Sequence, residues 1–330
     1  MRCARIRADG SGYYHCISRV IERRPIFDVR AKEKFRHIIR MLAAFCDIQV
    51  LTYAIMDTHW HLLVHVPERK DVPDDELIRR LAILYEPHVV TAFARQLKDY
   101  RDQGFHQAAE TLKAQYTYRM YDVSEFMKTL KQRFSQWYNK GNSRSGPLWE
   151  QRFKSILVEG SEHAIWTMAA YIDLNPVRAG IVADPKDYRY CGYGEAMGGS
   201  KAAMAGLAMV VRAVGIDEPW WRLRDEYRKH LFVEGARKRH GCAAFSGAQT
   251  EEVLQANGRL PAGSVLLCRV RYFSDGLALG SREFIEGVFA RYREQFGLRR
   301  VTGARPMRYA DWGGLCTLRD LRLAPVSSSP

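Results

Sequence analysis

The sequence has no apolar run approaching about 18 residues, no C-x-x-C pair, and a shortage of acid: 37 Asp and Glu stand against 51 Lys and Arg. The first absence argues against a membrane-spanning helix. Met1 to Arg7 likewise alternates charge with small residues where a secretory signal needs an unbroken apolar stretch. The second absence, with seven widely spaced cysteines (Cys3, Cys16, Cys46, Cys191, Cys242, Cys268, Cys316), argues against a disulfide framework or a zinc ribbon. A reducing cytoplasm is the expected compartment, with association to the nucleoid. The acid deficit leaves a formal charge of +14. Such a field favours phosphate-rich partners, nucleic acid first, although a merely soluble basic protein also fits charge alone.

A chain of 330 residues with 47% hydrophobic content suggests two units. The small, flexible stretch Gly198 to Gly206 divides 1–197 from 198–330. In the first unit, Tyr13 to Val20 reads as a strand. A helix follows between Ala31 and Cys46, with Asp28 as cap and a stripe of Phe35, Ile38, Ile39 and Leu42. Gln49 to Met56 and His59 to Val66 are strands that can pair as a hairpin through Asp57-Thr58. A charged helical excursion runs from 74 to 121. A helix from Ser124 to Tyr138, a strand from Phe153 to Glu159 and a helix capped by Ser161 and stopped by Asn175-Pro176 complete the unit. The order βαββαβ followed by a helix predicts an α+β, ferredoxin-like antiparallel sheet with helices on one face. The second unit is predicted mainly α-helical and accessory, with an amphipathic helix over Ser281 to Phe296 between the basic stretches Arg237 to His240 and Arg299-Arg300. That arrangement suits DNA binding, dimerisation or packing. Val326 to Pro330 is expected to fray.

Alternation along the third strand places His59, His61, Leu63 and His65 on one face and Trp60, Leu62, Val64 and Val66 on the other. Two imidazoles about 7 Å apart along a strand can converge on one cation, or can be two polar residues on a solvated face. His65, roughly 13 Å further along, is too distant to join them. Mixed nitrogen and oxygen ligation suits Mg²⁺ or Mn²⁺ better than structural zinc. Tyr171 and Asn175, four residues apart, share a helix flank and could supply a phenol and an amide oxygen. Taken alone they also read as a core-edge tyrosine and a helix terminator.

Five blocks occur in order: Gly12 to Arg19 (GYYHCISR), Met56 to Val64 (MDTHWHLLV), Leu130 to Asn139 (LKQRFSQWYN), Gly146 to Ser155 (GPLWEQRFKS) and Tyr171 to Gly180 (YIDLNPVRAG). Together the sequence resembles the IS200-like transposases, and most closely their REP-associated tyrosine transposase branch. The resemblance implies His59, His61 and Asn175 as ligands of Mg²⁺ or Mn²⁺ and Tyr171 as the nucleophile. It further implies a strand transferase that cleaves and rejoins single-stranded DNA through a 5′-phosphotyrosine at hairpin or palindromic sites. The turn before the motif usually reads Pro-Asn or Pro-Glu, and here it is Asp57-Thr58. Tyr138 is the alternative nucleophile, but its place beside Trp137 on an apolar stripe favours packing.

Lys128, Lys131, Arg133, Lys140, Arg144, Arg152 and Lys154, interleaved with Phe134, Trp137, Trp149 and Phe153, offer cations for phosphates and rings for unstacked bases. The rings could equally be core. Two other readings stay open: a DNA-binding regulator that keeps the fold without turnover, and a replication nickase sharing the same site. A homodimer is a further expectation, and no membrane partner is.

Overall fold

The computed structural model describes residues 5–212, 218, 220–233, 272–307 and 312–319. Strand β1 (Gly12–Arg19) leads into helix α1 (Val29–Cys46), and strands β2 (Gln49–Ile55) and β3 (His59–Val66) form the hairpin. Helices α2 (Asp74–Leu84), α3 (Pro87–Asp102) and α4 (His106–Thr117) make up the excursion, before α5 (Val123–Gly141) and β4 (Lys154–Val158). The tyrosine helix α6 (Glu162–Asp173) and the single turn α7 (Asn175–Arg178) follow, so Asn175-Pro176 bends the helical path rather than stopping it. Next come α8 (Gly192–Met197), α9 (Lys201–Arg212) and α10 (Trp220–Val233). The chain then supplies α11 (Tyr272–Asp275), β5 (Ala278–Gly280), α12 (Arg282–Arg291), β6 (Arg305–Pro306) and β7 (Cys316–Leu318).

Local chemistry sets several boundaries. Asp28 caps α1 by accepting a hydrogen bond from Ala31 N at 2.7 Å, as its position predicts. Ser161 stands at the N-cap of α6 but makes no capping bond. Its hydroxyl donates to Glu159 at 2.8 Å, and the same carboxylate accepts from Ser281 N at 2.8 Å and from Ser281 Oγ at 2.7 Å. Glu159 thereby ties β4 to the start of α12, whose Ile285, Val288 and Phe289 are buried.

The sheet has seven strands in the order β2-β3-β1-β4-β5-β7-β6. Its first four are antiparallel neighbours, as the βαββαβ order predicts. β5 then joins β4 in parallel, with Leu157 opposite Ala278, so residues from the second half of the chain extend the same sheet. Helices α1 and α5 share the face to which β3 presents Trp60: Phe35 lies 5.4 Å from Trp60 and 5.0 Å from Phe134, ring to ring. Phe27, Phe126 and Leu130 complete this fully buried layer. The edge strand β2 is covered by α9, approached so closely that a Cβ on Gly206 would sit 2.3 Å from the Val50 carbonyl. That cover removes the β2 edge as a route for sheet pairing with a second copy.

Cys16, Cys46, Cys191 and Cys316 are free thiols. No helix among the described residues is long and apolar enough to cross a membrane. Cys3, Cys242, Cys268, the basic stretch Arg237 to His240 and the tail Val326 to Pro330 lie outside the described residues.

Candidate active site

The second face of the sheet carries the candidate residues. Residues directly opposite one another in an antiparallel pair point the same way. His59 faces Arg19 on β1, His61 faces Ile17, and Ile17 faces Lys154 on β4, so these side chains share one surface. The rings of His59 and His61 stand 5.2 Å apart, edge to face. The Asp57-Thr58 turn that aims them is anchored on several sides: Lys32 Nζ meets Asp57 at 2.6 Å, Phe27 N donates to the Asp57 carbonyl, and Val20 N donates to the Thr58 carbonyl at 2.9 Å. Thr58 Oγ1 lies 3.0 Å from His59 Nδ1. The unusual turn therefore still fixes the strand that presents both imidazoles.

Helix α6 crosses this face and brings Tyr171 to the histidines, its ring 5.9 Å from that of His61. Tyr171 is 3% exposed. Phe273 of α11 packs over it at 4.6 Å, and the Arg178 guanidinium lies 3.9 Å from the ring centre while donating to the Tyr171 carbonyl at 2.7 Å. Asn175, one helical turn further on, is buried, and its amide makes no hydrogen bond among the described residues. Tyr138, the alternative nucleophile, is on α5, stacked on Phe134 on the opposite side of the sheet. His65 is held away from the pair by Ser11 and Gln49.

Two residues on this face escaped sequence reasoning. His15 of β1 is fully buried, and its Nε2 lies 2.9 Å from His61 Nδ1. Burial drives its pKa down to about 3 and holds His61 well below the usual imidazole range, so both rings are neutral. With the shared proton on His61 Nδ1, the remaining lone pair lies on His61 Nε2, and His15 fixes the orientation of the ring. The second is Asp173, buried at the end of α6. It accepts from Thr52 Oγ1 at 2.7 Å, Tyr227 Oη at 2.6 Å and Tyr193 N at 3.1 Å, joining the tyrosine helix to β2, α10 and α8. Burial raises its pKa to about 6 against the pull of those donors. Replacing Asp173 by Ala strands three buried donors and is expected to cost about 3 to 5 kcal/mol in urea unfolding, whereas Asp173→Asn, which keeps hydrogen-bonding capacity, costs less than half as much. Equal losses in the two variants would contradict this network.

Among the described residues no three His, Cys, Asp or Glu side chains are grouped to hold an ion.

Residues 10–109 match the family described as Transposase IS200 like. The match spans 100 of the 330 residues. It contains β1 to β3 and both His59 and His61, while Tyr171 and Asn175 lie beyond it. No curated protein matches the sequence. Among solved structures, one titled as the REP-associated tyrosine transposase bound to a REP hairpin is similar at 14% identity, covering 62% of this chain and 90% of that one with a TM-score of 0.36.

The predicted basic stretch divides around the sheet. Lys128, Lys131, Arg133 and Lys140 belong to α5, on the face opposite the histidines, while Lys154 shares the histidine face. Lys128 is paired with Glu125, Lys154 with Asp275, Lys131 Nζ donates to the Gln151 carbonyl and Arg144 to that of Pro147. Burial lowers Lys131 to about 8. Arg133, Lys140 and Arg152 make no ion pair among the described residues. Of the interleaved rings, Phe134 and Phe153 are buried, and Trp149 donates to Ser135 at 2.8 Å, so most of this aromatic set is core.

Proposed function

We propose that the chain is a metal-dependent, single-tyrosine transferase of single-stranded DNA. The observation that carries this reading is the convergence of His59, His61 and Tyr171, from segments over a hundred residues apart, on one buried sheet face. His59, His61 and Asn175 hold Mg²⁺ or Mn²⁺, which when bound offsets the charge that develops on the scissile phosphate. The Tyr171 oxygen attacks that phosphorus in line. The bond to the 3′ oxygen breaks, the 3′-hydroxyl strand departs, and the 5′ end stays on the tyrosine. One phosphodiester replaces another, so a second 3′-hydroxyl can reverse the step without ATP. Arg178 holds the phenol ring in place from above, and His15 keeps the His61 ring turned to the cation.

The reading is tested with hairpin oligonucleotides from the flanks of the gene and Mg²⁺ or Mn²⁺. A gel-stable protein–DNA adduct that disappears with EDTA is expected, and an adduct formed equally well in EDTA would overturn metal dependence. If the cations meet about five phosphates, the affinity for single strands falls with salt at a log-log slope near −3.5. A flat salt response contradicts the assignment of the basic residues to DNA.

A second reading, a DNA-binding regulator without turnover, has one observation in its favour: the burial of Tyr171 beneath Phe273. It requires sequence-selective binding that is indifferent to metal and to His59→Ala, with no adduct under any condition.

A further inference from the structure

Among the described residues three cations border the candidate site, and two of them are already engaged. Lys154 is held by Asp275 at 2.9 Å, and Arg178 is bound to the carbonyl and ring of Tyr171. The third, Arg19, closes strand β1. Its register partner is His59, so its side chain leaves the sheet on the same face and at the same end as the histidine pair. Its backbone is secured, since Glu150 N donates to the Arg19 carbonyl at 3.0 Å and Val20 bridges Trp149, so the position is not a frayed strand end. The guanidinium itself makes no hydrogen bond or ion pair with any described residue, and it is only partly exposed. A half-buried cation beside two imidazoles has the wrong company unless an anion joins it.

We propose that Arg19 is a catalytic residue that grips a non-bridging oxygen of the scissile phosphate. This rests on the transferase reading. As the Tyr171 oxygen gives up its proton to water and bonds to phosphorus, and the electron pair of the breaking bond leaves with the 3′ oxygen, which takes up a proton from water, charge builds on the non-bridging oxygens. A planar, permanently charged guanidinium offers that oxygen a fixed pair of N–H donors, which a lysine does not.

The test compares wild type, Arg19→Ala and Arg19→Lys in single-turnover adduct formation on a single-stranded oligonucleotide. Each is run with the native phosphodiester and with an uncharged methylphosphonate at the cleaved position. On the native strand Arg19→Ala is expected to slow adduct formation about 100-fold with oligonucleotide affinity changed less than threefold, and Arg19→Lys to recover only part of the rate. On the methylphosphonate, wild type and Arg19→Ala are expected to react within about threefold of each other, because the charge that Arg19 serves is gone. A general defect in folding or DNA docking would slow both substrates alike and overturn the assignment. So would an Arg19→Ala rate within threefold of wild type on the native strand. In both of those cases the wild-type adduct still stands and the transferase reading survives. If wild type gives no adduct with either substrate, the transferase reading and this assignment fall together.

Discussion

Tyr171→Phe is expected to abolish the covalent protein–DNA product and to lower strand cleavage by about 10⁴-fold or more, while leaving single-strand affinity within twofold. The change removes one oxygen. The ring contacts survive it: the edge of His61 at 5.9 Å, the face of Phe273 at 4.6 Å and the Arg178 guanidinium at 3.9 Å. Arg178 donates to the backbone of Tyr171 rather than to its phenol, so that bond survives as well. Folding and docking should therefore be indistinguishable from wild type, and the loss falls on the chemical step alone. An adduct that persists in Tyr171→Phe would move the nucleophile elsewhere, and Tyr138 is placed to be checked as a negative control: Tyr138→Phe, across the sheet, is expected to react at the wild-type rate.

The second large effect is expected at His61. His61→Ala removes one of the two imidazoles proposed to hold the cation and leaves the buried His15 without its 2.9 Å partner. Cleavage should fall by about 10³-fold, the scale on which loss of a charge-stabilising group acts at a reacting centre. Binding of Mn²⁺, read by the loss of its free-ion resonance signal, should weaken beyond detection. His15→Ala separates the supporting role from the ligating one: it is expected to weaken Mn²⁺ binding 10- to 100-fold, with activity restored at high metal concentration. If His15→Ala leaves metal affinity unchanged, His15 is a core residue and the tautomer argument is wrong.

Much of the βαββαβ unit was legible because its signals are local. The stripe Phe35, Ile38, Ile39 and Leu42 made a helix, Asp28 capped it, and strict alternation along β3 separated Trp60 from His61. What the sequence concealed depends on partners far away in the chain. His15 reads as one polar residue in an apolar strand, and only the register of β1 against β3 sets it beside His61. Asp173 sits in the most recognisable motif of the chain, yet its role depends on Thr52 and Tyr227, 121 and 54 residues distant. Helix α6 is buried from Ala164 to Asp173 with few breaks, because the sheet lies on one side and α10 and α11 reach the other. Its apolar stripe gave no hint of that second cover. Strands β5, β6 and β7 are two or three residues long, too short for any periodicity, and exist through pairing with β4 and with each other. The seven basic residues were found by composition, which cannot tell one face of a sheet from the other, and the structure separates those on α5 from Lys154 and from the overlooked Arg19.

The most direct measurement maps the attachment point. Wild-type protein is reacted with a single-stranded hairpin substrate and Mn²⁺, digested with nuclease and trypsin, and the peptide that retains a nucleotide is sequenced by mass spectrometry. The account requires the modified residue to be Tyr171 and the modification to vanish in His59→Ala and His61→Ala. A nucleotide on any other residue, or one on Tyr171 that forms regardless of the two histidines, would contradict it.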